Sequence, residues 1–392
     1  MSCLTQPLCK VSIGGLELVK DLIKKAHHEF DIVYDVYLAN HLPHGLYTIL
    51  SLGGSLERIQ EYYDHYVKRL EPLRPAKFQI TNWESHIGDK TVYPEFLQFF
   101  DQEIKENGLE ATFSQYFPKL MGFSLGAALH PLIHIGYGME YTDPWVLAEG
   151  LSYACTYPLQ GSSIILGIDQ ETQKPIKSAT VLDLINQVGE LDLPVLTDEI
   201  GNFHYKTEYL LKNCGETFRN LILSWELPLS NESLEIKLNE LTEASILGAF
   251  ATHPDKIDFF LVHGVTGNHA IRTVFRHLDE KHQRNLLRIN LLGLLTDYVV
   301  QKRPQIDIDY VRKYHQKAKV EKENQEISWN NLITKAVERD EEHIAKVVRS
   351  VIFYMENVPV SERSRLFTDD FCKWCVFKAI DILKDTNDFI FH

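Results

Sequence analysis

Apolar residues recur at three- and four-residue spacing along almost the whole chain, and this period constrains the fold more than any other feature of the sequence. Such spacing places the apolar side chains on one face of an α-helix. The helical pattern covers residues 16–30, 42–52, 56–70, 93–107, 143–157, 205–224, 243–252, 257–278, 286–301, 309–320, 330–340, 341–354 and 371–384. Strand evidence is limited to short runs at residues 78–81 and 162–168. We therefore predict an all-α fold.

No break in the helical pattern divides the chain into separate parts. Three polar or proline-containing stretches are candidate boundaries, at residues 71–76, 169–177 and 317–326, and the last is typical of an exposed helix end or loop. The chain contains no internal repeat of fixed period, which argues against a solenoid. We therefore predict a single large helical domain over residues 1–392, with its core at residues 20–355.

Charge and composition exclude several classes of protein. The 40 Lys and Arg residues against 54 Asp and Glu give a net charge of −14, which argues against nucleic acid as a main partner, because binding phosphates needs a cationic surface. No apolar run approaches the roughly 18–20 residues that span a bilayer. The chain does not begin like a signal peptide, and its six cysteines lack regular spacing. We therefore expect a cytoplasmic protein with reduced thiols and no membrane partner.

The common catalytic motifs are missing from the sequence. It contains no G-x-G-x-x-G after a strand, no G-x-x-x-x-G-K-[ST], no G-x-S-x-G and no H-E-x-x-H. No motif therefore supports a dinucleotide-binding, P-loop or serine-hydrolase function. One C-x-x-C is present, at Cys372 and Cys375, but without a second pair these are expected to be core cysteines.

The 17 histidines are the most informative residues, because several lie inside apolar helical segments. Neutral imidazole is the commonest protein ligand for zinc, copper and iron. A single such histidine is most often a hydrogen-bonded core residue, but a recurrence in four separate segments favours a metal centre built by several helices. The candidates are His41 with His44, His130 with His134, His263 with His269 nearby, and His343. His27, His28, His65, His277, His282 and His392 lie among charged neighbours or at a terminus and are expected to be ordinary histidines.

Two prolines help to choose within the histidine pairs. Proline suits the first turn of a helix, so Pro131 predicts that His130 is a cap and that His134 lies one turn inside. Pro43 likewise places His41 just outside the helix that contains His44. We therefore predict His44 and His134 as inward metal ligands, and His41 and His130 as catalytic or substrate-facing groups.

Lys346 lies one turn after His343 on the same predicted helix, next to two valines. A lysine in such a place usually extends its charge to solvent or pairs with an acid. A desolvated, neutral lysine can instead react with carbon dioxide and become an anionic N-carboxylate ligand. Glu341 and Glu342 stand at the start of that helix, where a carboxylate suits the dipole, and are expected to face solvent.

The sequence resembles the questin oxidase-like family over residues 20–355. The resemblance is carried by Asn40-His41-x-x-His44 and the Leu-Tyr-Thr-Ile-Leu-Ser-Leu-Gly that follows, Arg69-Leu70-x-Pro72, Asn82-Trp83, residues 129–140, residues 258–263 and His343-x-x-Lys346-x-x-Arg349. The run His-Pro-Leu-Ile-His-x-Gly-Tyr-Gly is its most specific part. Gly45 departs from the pattern, since members often carry a bulkier residue there, and it predicts a wider pocket.

The resemblance implies a helical, oxygen-inserting enzyme of polyketide metabolism that acts on anthraquinone-type rings in a Baeyer–Villiger-like or dioxygenase-like reaction. It implies a mononuclear iron, Fe(II), held by histidines and a carboxylated lysine. Carried over by position, the implied ligands are His44, His134, His263, His343 and Lys346. It also implies NADPH, although the chain shows no nucleotide fingerprint, so no cofactor site is assigned.

These observations together predict a metal-dependent, most simply iron-dependent, oxidoreductase that uses dioxygen to oxidise or cleave a small aromatic or polyketide-like substrate. Two alternatives stay open: a non-catalytic helical protein that binds a hydrophobic small molecule, and a metal-dependent hydrolase. The hydrolase lacks a convincing bridging aspartate. Tyr47, Tyr137, Trp145 and Phe260 are candidates to line an apolar pocket.

Overall fold

The computed structural model describes residues 12–165, 179–228, 231–321, 327–384 and 388–391. Within these ranges the chain is mostly α-helical, and a two-stranded antiparallel hairpin, β1 (Val33–Tyr34) with β2 (Leu38–Ala39), is the one named sheet. The all-α prediction is therefore confirmed. None of the described helices is both long and apolar enough to cross a membrane.

The described chain forms two compact units. The amino-terminal unit comprises Cys9–Gln160 and Ala270–His282, and the carboxyl-terminal unit comprises Gly161–His269 and Gln283–His392. Each unit has its own buried apolar core. The predicted extent of a single domain over residues 1–392 stays a prediction.

The amino-terminal unit is built around one central helix. Its helices are α1 (Gly15–Glu29), α2 (Leu42–Ser51), α3 (Leu56–Tyr66), α4 (Tyr93–Asn107), α5 (Leu109–Leu120), α6 (His130–Glu140) and α7 (Pro144–Thr156). Helix α7 packs against α1, α4, α5 and α6, and its residues from Val146 onward are buried without interruption. A helix that is apolar on all sides belongs in the core of a domain.

A glycine sets the distance between α6 and α7. A Cβ atom on Gly150 would lie 2.7 Å from the backbone nitrogen of Ile135 and 3.0 Å from Cβ of His134. Real Cβ atoms do not approach a backbone atom so closely, so only glycine permits this approach. The identity of Gly150 therefore helps to fix the position of His134.

We expect Gly150→Ala to destabilise the protein by about 1–3 kcal/mol, the usual cost of forcing extra volume into a packed core. The measurement is the free energy of unfolding in urea. Gly248→Ala is the matched control, because a Cβ there meets nothing within 4 Å and alanine is the better helix former by up to about 1 kcal/mol. Equal effects of the two substitutions would contradict the close approach.

The carboxyl-terminal unit contains most of the remaining helices. They are α8 (Val181–Glu190), α9 (Phe203–Leu223), α10 (Asn231–Phe250), α11 (Phe259–Phe275), α12 (Glu280–Val300), α13 (Ile308–Glu321), α14 (Trp329–Val337), α15 (Glu342–Asn357) and α16 (Asp369–Ile382). Among the described residues, the chain passes from one unit to the other after Gln160, within α11 and within α12. Helix α15 packs against α14 and α16. Cys372 and Cys375 of α16 are fully buried, as predicted.

Some predictions fall partly or wholly outside the described residues. The candidate boundary at residues 169–177 and His392 lie outside them, as do residues 322–326 of the boundary at residues 317–326. Residues 317–321 of that boundary end α13. In the run at residues 162–168, residues 162–165 belong to a 3₁₀ turn, Gln160–Ile165, rather than to a strand.

Candidate functional site

Four buried histidines, called here the amino-terminal cluster, lie together in the amino-terminal unit: His41 just before α2, His44 on α2, and His130 and His134 on α6. His41 immediately precedes α2, as Pro43 predicted. His130 is the first residue of α6 and Leu129 is the cap, so the prediction that His130 is itself the cap is wrong by one position. Proline is tolerated anywhere in the first turn, which explains the shift.

One ring nitrogen of His41 lies close to one ring nitrogen of His130. Nδ1 of His41 donates to the carbonyl oxygen of Ala39 at 2.6 Å, and Nδ1 of His130 donates to that of Ala127 at 2.5 Å. The lone pair of each neutral ring is therefore on Nε2, and the two Nε2 atoms are only 2.6 Å apart. Two lone pairs repel at this distance unless they share a cation. The pair is therefore suited to hold a proton or a metal ion.

The rings of His44 and His134 are adjacent, with centroids 4.0 Å apart. His134 Nε2 lies 3.7 Å from Oε2 of Glu149, a buried carboxylate on α7. Metal-binding histidines are commonly oriented by a carboxylate or a backbone carbonyl. The backbone carbonyl oxygen of His130 is such a partner for Nδ1 of His134, at 3.3 Å, whereas Glu149 at 3.7 Å is a charged neighbour beyond hydrogen-bond distance.

His27 on α1 holds Glu149 from the other side. Its Nδ1 lies 3.0 Å from Oε1 of Glu149 and its Nε2 lies 3.1 Å from Oδ2 of Asp101. Burial opposes the charged ring, but the hydrogen bonds to the two carboxylates prevail and raise the pKa of His27 to about 9. His27 is therefore a hydrogen-bonded core histidine with charged neighbours, in line with the expectation, and its ring is buried between two acids.

The carboxyl-terminal unit contains a second group of buried ionisable residues. This carboxyl-terminal cluster consists of His263 on α11, the α15 cap Glu341, and Glu342, His343 and Lys346 on α15. The rings of His263 and His343 lie 5.0 Å apart. The ligand atoms of Glu341, Glu342 and His343 all lie within 4.8 Å of one another, so these three residues could hold a metal ion.

The prediction that Glu341 and Glu342 face solvent is wrong, since they are only 6% and 5% exposed. Glu341 uses one oxygen to cap α15 at the Ile344 N–H, at 2.9 Å. Its other oxygen accepts from Nδ1 of His343 at 2.6 Å. Both oxygens of Glu341 therefore accept hydrogen bonds inside the unit, which explains why this carboxylate is buried.

Electrostatics keep the imidazoles of this cluster neutral. Burial lowers the pKa of His343 to about 3, and it holds the pKa of His263 well below its usual value. Nδ1 of His263 donates to the carbonyl oxygen of Phe259 at 2.6 Å, so its lone pair is on Nε2. Neutral imidazoles of fixed tautomer are the form that binds a metal.

Lys346 is fully buried, and its Nζ has no hydrogen-bond partner among the residues that the structure describes. Burial lowers its pKa to about 8, although Glu342 and Glu341 oppose the shift. A buried ammonium without hydrogen bonds is costly. Lys346 is therefore a lysine for which the neutral form is accessible near neutral pH.

The structure brings His44 and His134 together in one unit, and His263, His343 and Lys346 together in the other. The ligand set as a whole, and the catalytic roles of His41 and His130, stay predictions. His269 is not assigned as a metal ligand, because Arg349 donates to its Nε2 at 2.6 Å.

The wider pocket predicted at Gly45 is not present. The position that a Cβ of Gly45 would occupy is filled by the phenol ring of Tyr62, which is buried on α3. The other candidate lining residues stay predictions as such, although Tyr47 and Tyr137 are buried near the amino-terminal cluster.

Helical folds with buried, neutral imidazoles oriented by carboxylates and carbonyls are typical of metalloenzymes that bind their ion between helices. The sequence profile of the questin oxidase-like family matches residues 38–351, and the chain therefore belongs to the questin oxidase-like family. It is accordingly an oxidoreductase, as predicted.

Named relatives support this family assignment. The Baeyer–Villiger oxidase ptaJ of Pestalotiopsis fici is 26% identical over 365 residues, covering 86% of this chain and 80% of that protein. The Baeyer–Villiger monooxygenase dmxR6 of Cryptosporiopsis sp. is 25% identical over 361 residues, covering 84% and 79%. A questin oxidase of Aspergillus fumigatus is 24% identical over 375 residues, covering 86% and 81%.

Proposed function

We propose that this chain is a metal-dependent oxygenase that inserts one oxygen atom of dioxygen beside the ketone of an aromatic polyketide. The reaction balances as ketone, dioxygen, two electrons and two protons giving ester and water. The names of the relatives support the reaction class. The observation that carries the metal dependence is the carboxyl-terminal cluster, with three ligand atoms within 4.8 Å in a buried setting.

Iron is the metal we propose, because imidazole and carboxylate together suit Fe(II). When bound, it would supply one-electron chemistry to dioxygen. His343 would present Nε2, since Glu341 holds its Nδ1–H, and His263 would present Nε2 for the same reason at Phe259. In the amino-terminal unit His44 and His134 stay candidate ligands. The Nε2 atoms of His41 and His130 lie 2.6 Å apart, and this short distance favours His41 and His130 as further ligands.

We propose further that Lys346 is carboxylated when the metal is bound. Glu342 is the buried carboxylate left to offset a dication beside the neutral imidazoles, because both oxygens of Glu341 are held by His343 and Ile344. A further anionic ligand would offset more of that charge, and a buried uncompensated charge is costly. The neutral amine of Lys346 would attack carbon dioxide, forming a carbon–nitrogen bond and releasing one proton. The resulting anionic oxygen would offset part of the metal charge from a position one turn after His343.

The two electrons must come from an external reductant. NADPH is the reductant we propose, in line with the resemblance, and we assign it no binding residues. Burial of the cluster residues keeps bulk water away from the reacting oxygen, which favours oxygen insertion over release of reduced oxygen species.

The proposal is tested on protein purified without chelator. We expect about one iron per chain by elemental analysis, and oxygen consumption that depends on NADPH and an anthraquinone-type ketone. With ¹⁸O-labelled dioxygen the ester product should carry one labelled atom. A co-purifying apolar molecule together with no metal and no oxygen consumption would instead indicate a carrier protein, and the proposal would be wrong.

Glu341→Gln is expected to lower iron affinity by about 10–100-fold, the usual effect of losing a partner that orients a metal-bound histidine. The amide retains the size of the side chain but removes its charge. The measurement is competition with a coloured chelator. Asp340→Asn is the matched control, since Asp340 is an exposed acid immediately before Glu341, and it should leave iron affinity unchanged. An equal loss in both variants would contradict the role of Glu341.

A further inference from the structure

A stack of four aromatic rings in the amino-terminal unit begins at the amino-terminal cluster. The ring of His44 is nearly parallel to that of Tyr137, with centroids 5.0 Å apart and planes at 16°. Tyr137 is followed by Tyr47 at 6.4 Å and 16°, and Tyr47 by Tyr141 at 3.8 Å and 11°. We call these residues the aromatic stack.

The stack connects a buried place with a partly exposed one. Tyr47 is fully buried and Tyr137 is only 5% exposed, whereas Tyr141 is half-buried. The three phenol rings are nearly parallel, which is the offset-stacked arrangement of aromatic pairs. Electron exchange between rings falls steeply with distance, so neighbouring rings at these separations exchange electrons readily.

Tyr47 has a built-in proton acceptor. Its hydroxyl donates to Oδ2 of Asp143 at 2.5 Å. The other oxygen of Asp143 caps α7 by accepting from the backbone N–H groups of Trp145 and Val146, and a helix N-terminus favours a carboxylate. The hydroxyl of Tyr137 has a different kind of partner, the hydroxyl of Thr48 at 2.7 Å.

The different hydrogen-bond partners of Tyr47 and Tyr137 determine which of the two phenols is more easily oxidised. A phenol that loses an electron becomes a strong acid, so its oxidation is easy only where the proton has a nearby base. Asp143 provides that base for Tyr47, and Thr48 does not provide one for Tyr137. Of the two buried phenols, Tyr47 is therefore the one at which a radical is stabilised.

We propose that the aromatic stack is an electron relay between the amino-terminal cluster and the surface, with Tyr47 as its redox-active residue. The proposal rests on the proposed function for its source of oxidant, a one-electron equivalent left when dioxygen reacts without substrate. Tyr47 gives up one electron towards His44 and its hydroxyl proton to Asp143. A small thiol or ascorbate-like reductant at Tyr141 then returns one electron, and the proton returns from Asp143 to Tyr47. The relay thereby protects the buried histidines from oxidation.

The test uses light and needs no bound metal, so its result is independent of the iron analysis. A ruthenium photosensitiser is attached to Thr142→Cys in chelator-treated full-length protein, next to Tyr141. Thr142 is exposed and has φ 49°, a conformation that a β-branched residue adopts reluctantly, so cysteine suits the position. A flash with an electron acceptor present oxidises the ruthenium, and time-resolved absorption with freeze-quench electron paramagnetic resonance follows the tyrosyl radical.

We expect a long-lived tyrosyl radical that is lost in Tyr47→Phe. Asp143→Asn should slow its formation by about 100-fold or more, the usual effect of removing a positioned base. Tyr141→Phe should lower the yield, and it keeps the test decisive if a change at Tyr47 or Asp143 prevents folding. The control conjugate at Lys105→Cys, on the exposed surface of α4, should give a signal that does not respond to Tyr47→Phe. An unchanged radical in Tyr47→Phe and Tyr141→Phe at the Thr142 site would overturn the relay and leave Tyr47–Asp143 as a structural hydrogen bond.

Discussion

Lys346→Ala and Lys346→Arg are both expected to abolish oxygenase activity and to weaken iron binding by more than the roughly 10–100-fold that follows loss of an outer partner. Alanine removes the amine, and arginine holds a permanent cation that cannot react with carbon dioxide. The lysine is fully buried and burial lowers its pKa to about 8, so the neutral amine is available in the wild type. Elemental analysis and oxygen uptake measure the two effects.

The carboxylate itself is detected by carbon-13 nuclear magnetic resonance of iron-free, zinc-loaded protein equilibrated with labelled bicarbonate. We expect one carbamate signal, absent in Lys346→Arg, while Lys346→Glu should retain some metal because it supplies an anionic oxygen directly. Lys378→Met is the matched control. Lys378 is also buried, with its pKa lowered to about 8, but its amine donates to the carbonyl oxygens of Phe250 and His253. Lys378→Met should therefore destabilise the protein and leave the carbamate signal unchanged. Full metal content and activity in Lys346→Arg would make Lys346 a structural cation only.

The helical fold was readable from the sequence wherever one apolar stripe was long and regular. The period at residues 93–107 predicts α4 with its correct bounds. Helix α5 gave no clear signal because Pro118 stands inside it, and sequence patterns treat proline as the end of a helix. Helix α8 is short and depends on a capping box of Thr180 and Asp183, a signal that is easily missed in a polar stretch.

The histidines of both clusters were likewise readable, because an imidazole within an apolar stripe is rare enough to attract attention. Their carboxylate partners were not. An acid at the start of a helix usually lies in solvent, so the sequence predicts an exposed Glu341. The hydrogen bond to His343 that buries it depends on the path of the chain before α15. Glu149 had a usable signal, since it is the single charge in the apolar run of α7. A lone acid at such a place predicts a buried cation, here His27.

The ion pairs of His27 with Glu149 and Asp101 lead to a prediction on stability. His27→Gln is expected to destabilise the protein by about 3 kcal/mol, because a raised pKa is a free energy of folding at 1.36 kcal/mol per unit. The pKa of His27 rises from 6.5 to about 9 in the folded state. The stabilisation is therefore fully present below about pH 6.5, and it is lost as the pH rises through about 9. Urea unfolding of wild type and variant over this range measures it.

His28→Gln is the matched control for this experiment. His28 is the exposed neighbour of His27, and burial lowers its pKa instead of raising it. Substitutions at exposed positions usually change stability by less than about 0.5 kcal/mol, so the control curve should follow the wild type. Asp101→Asn should reproduce part of the His27→Gln loss with the same pH dependence. A loss in His27→Gln that is constant from acid to alkaline pH would show that the ring stabilises α1 by packing against Trp145 and not through its charge.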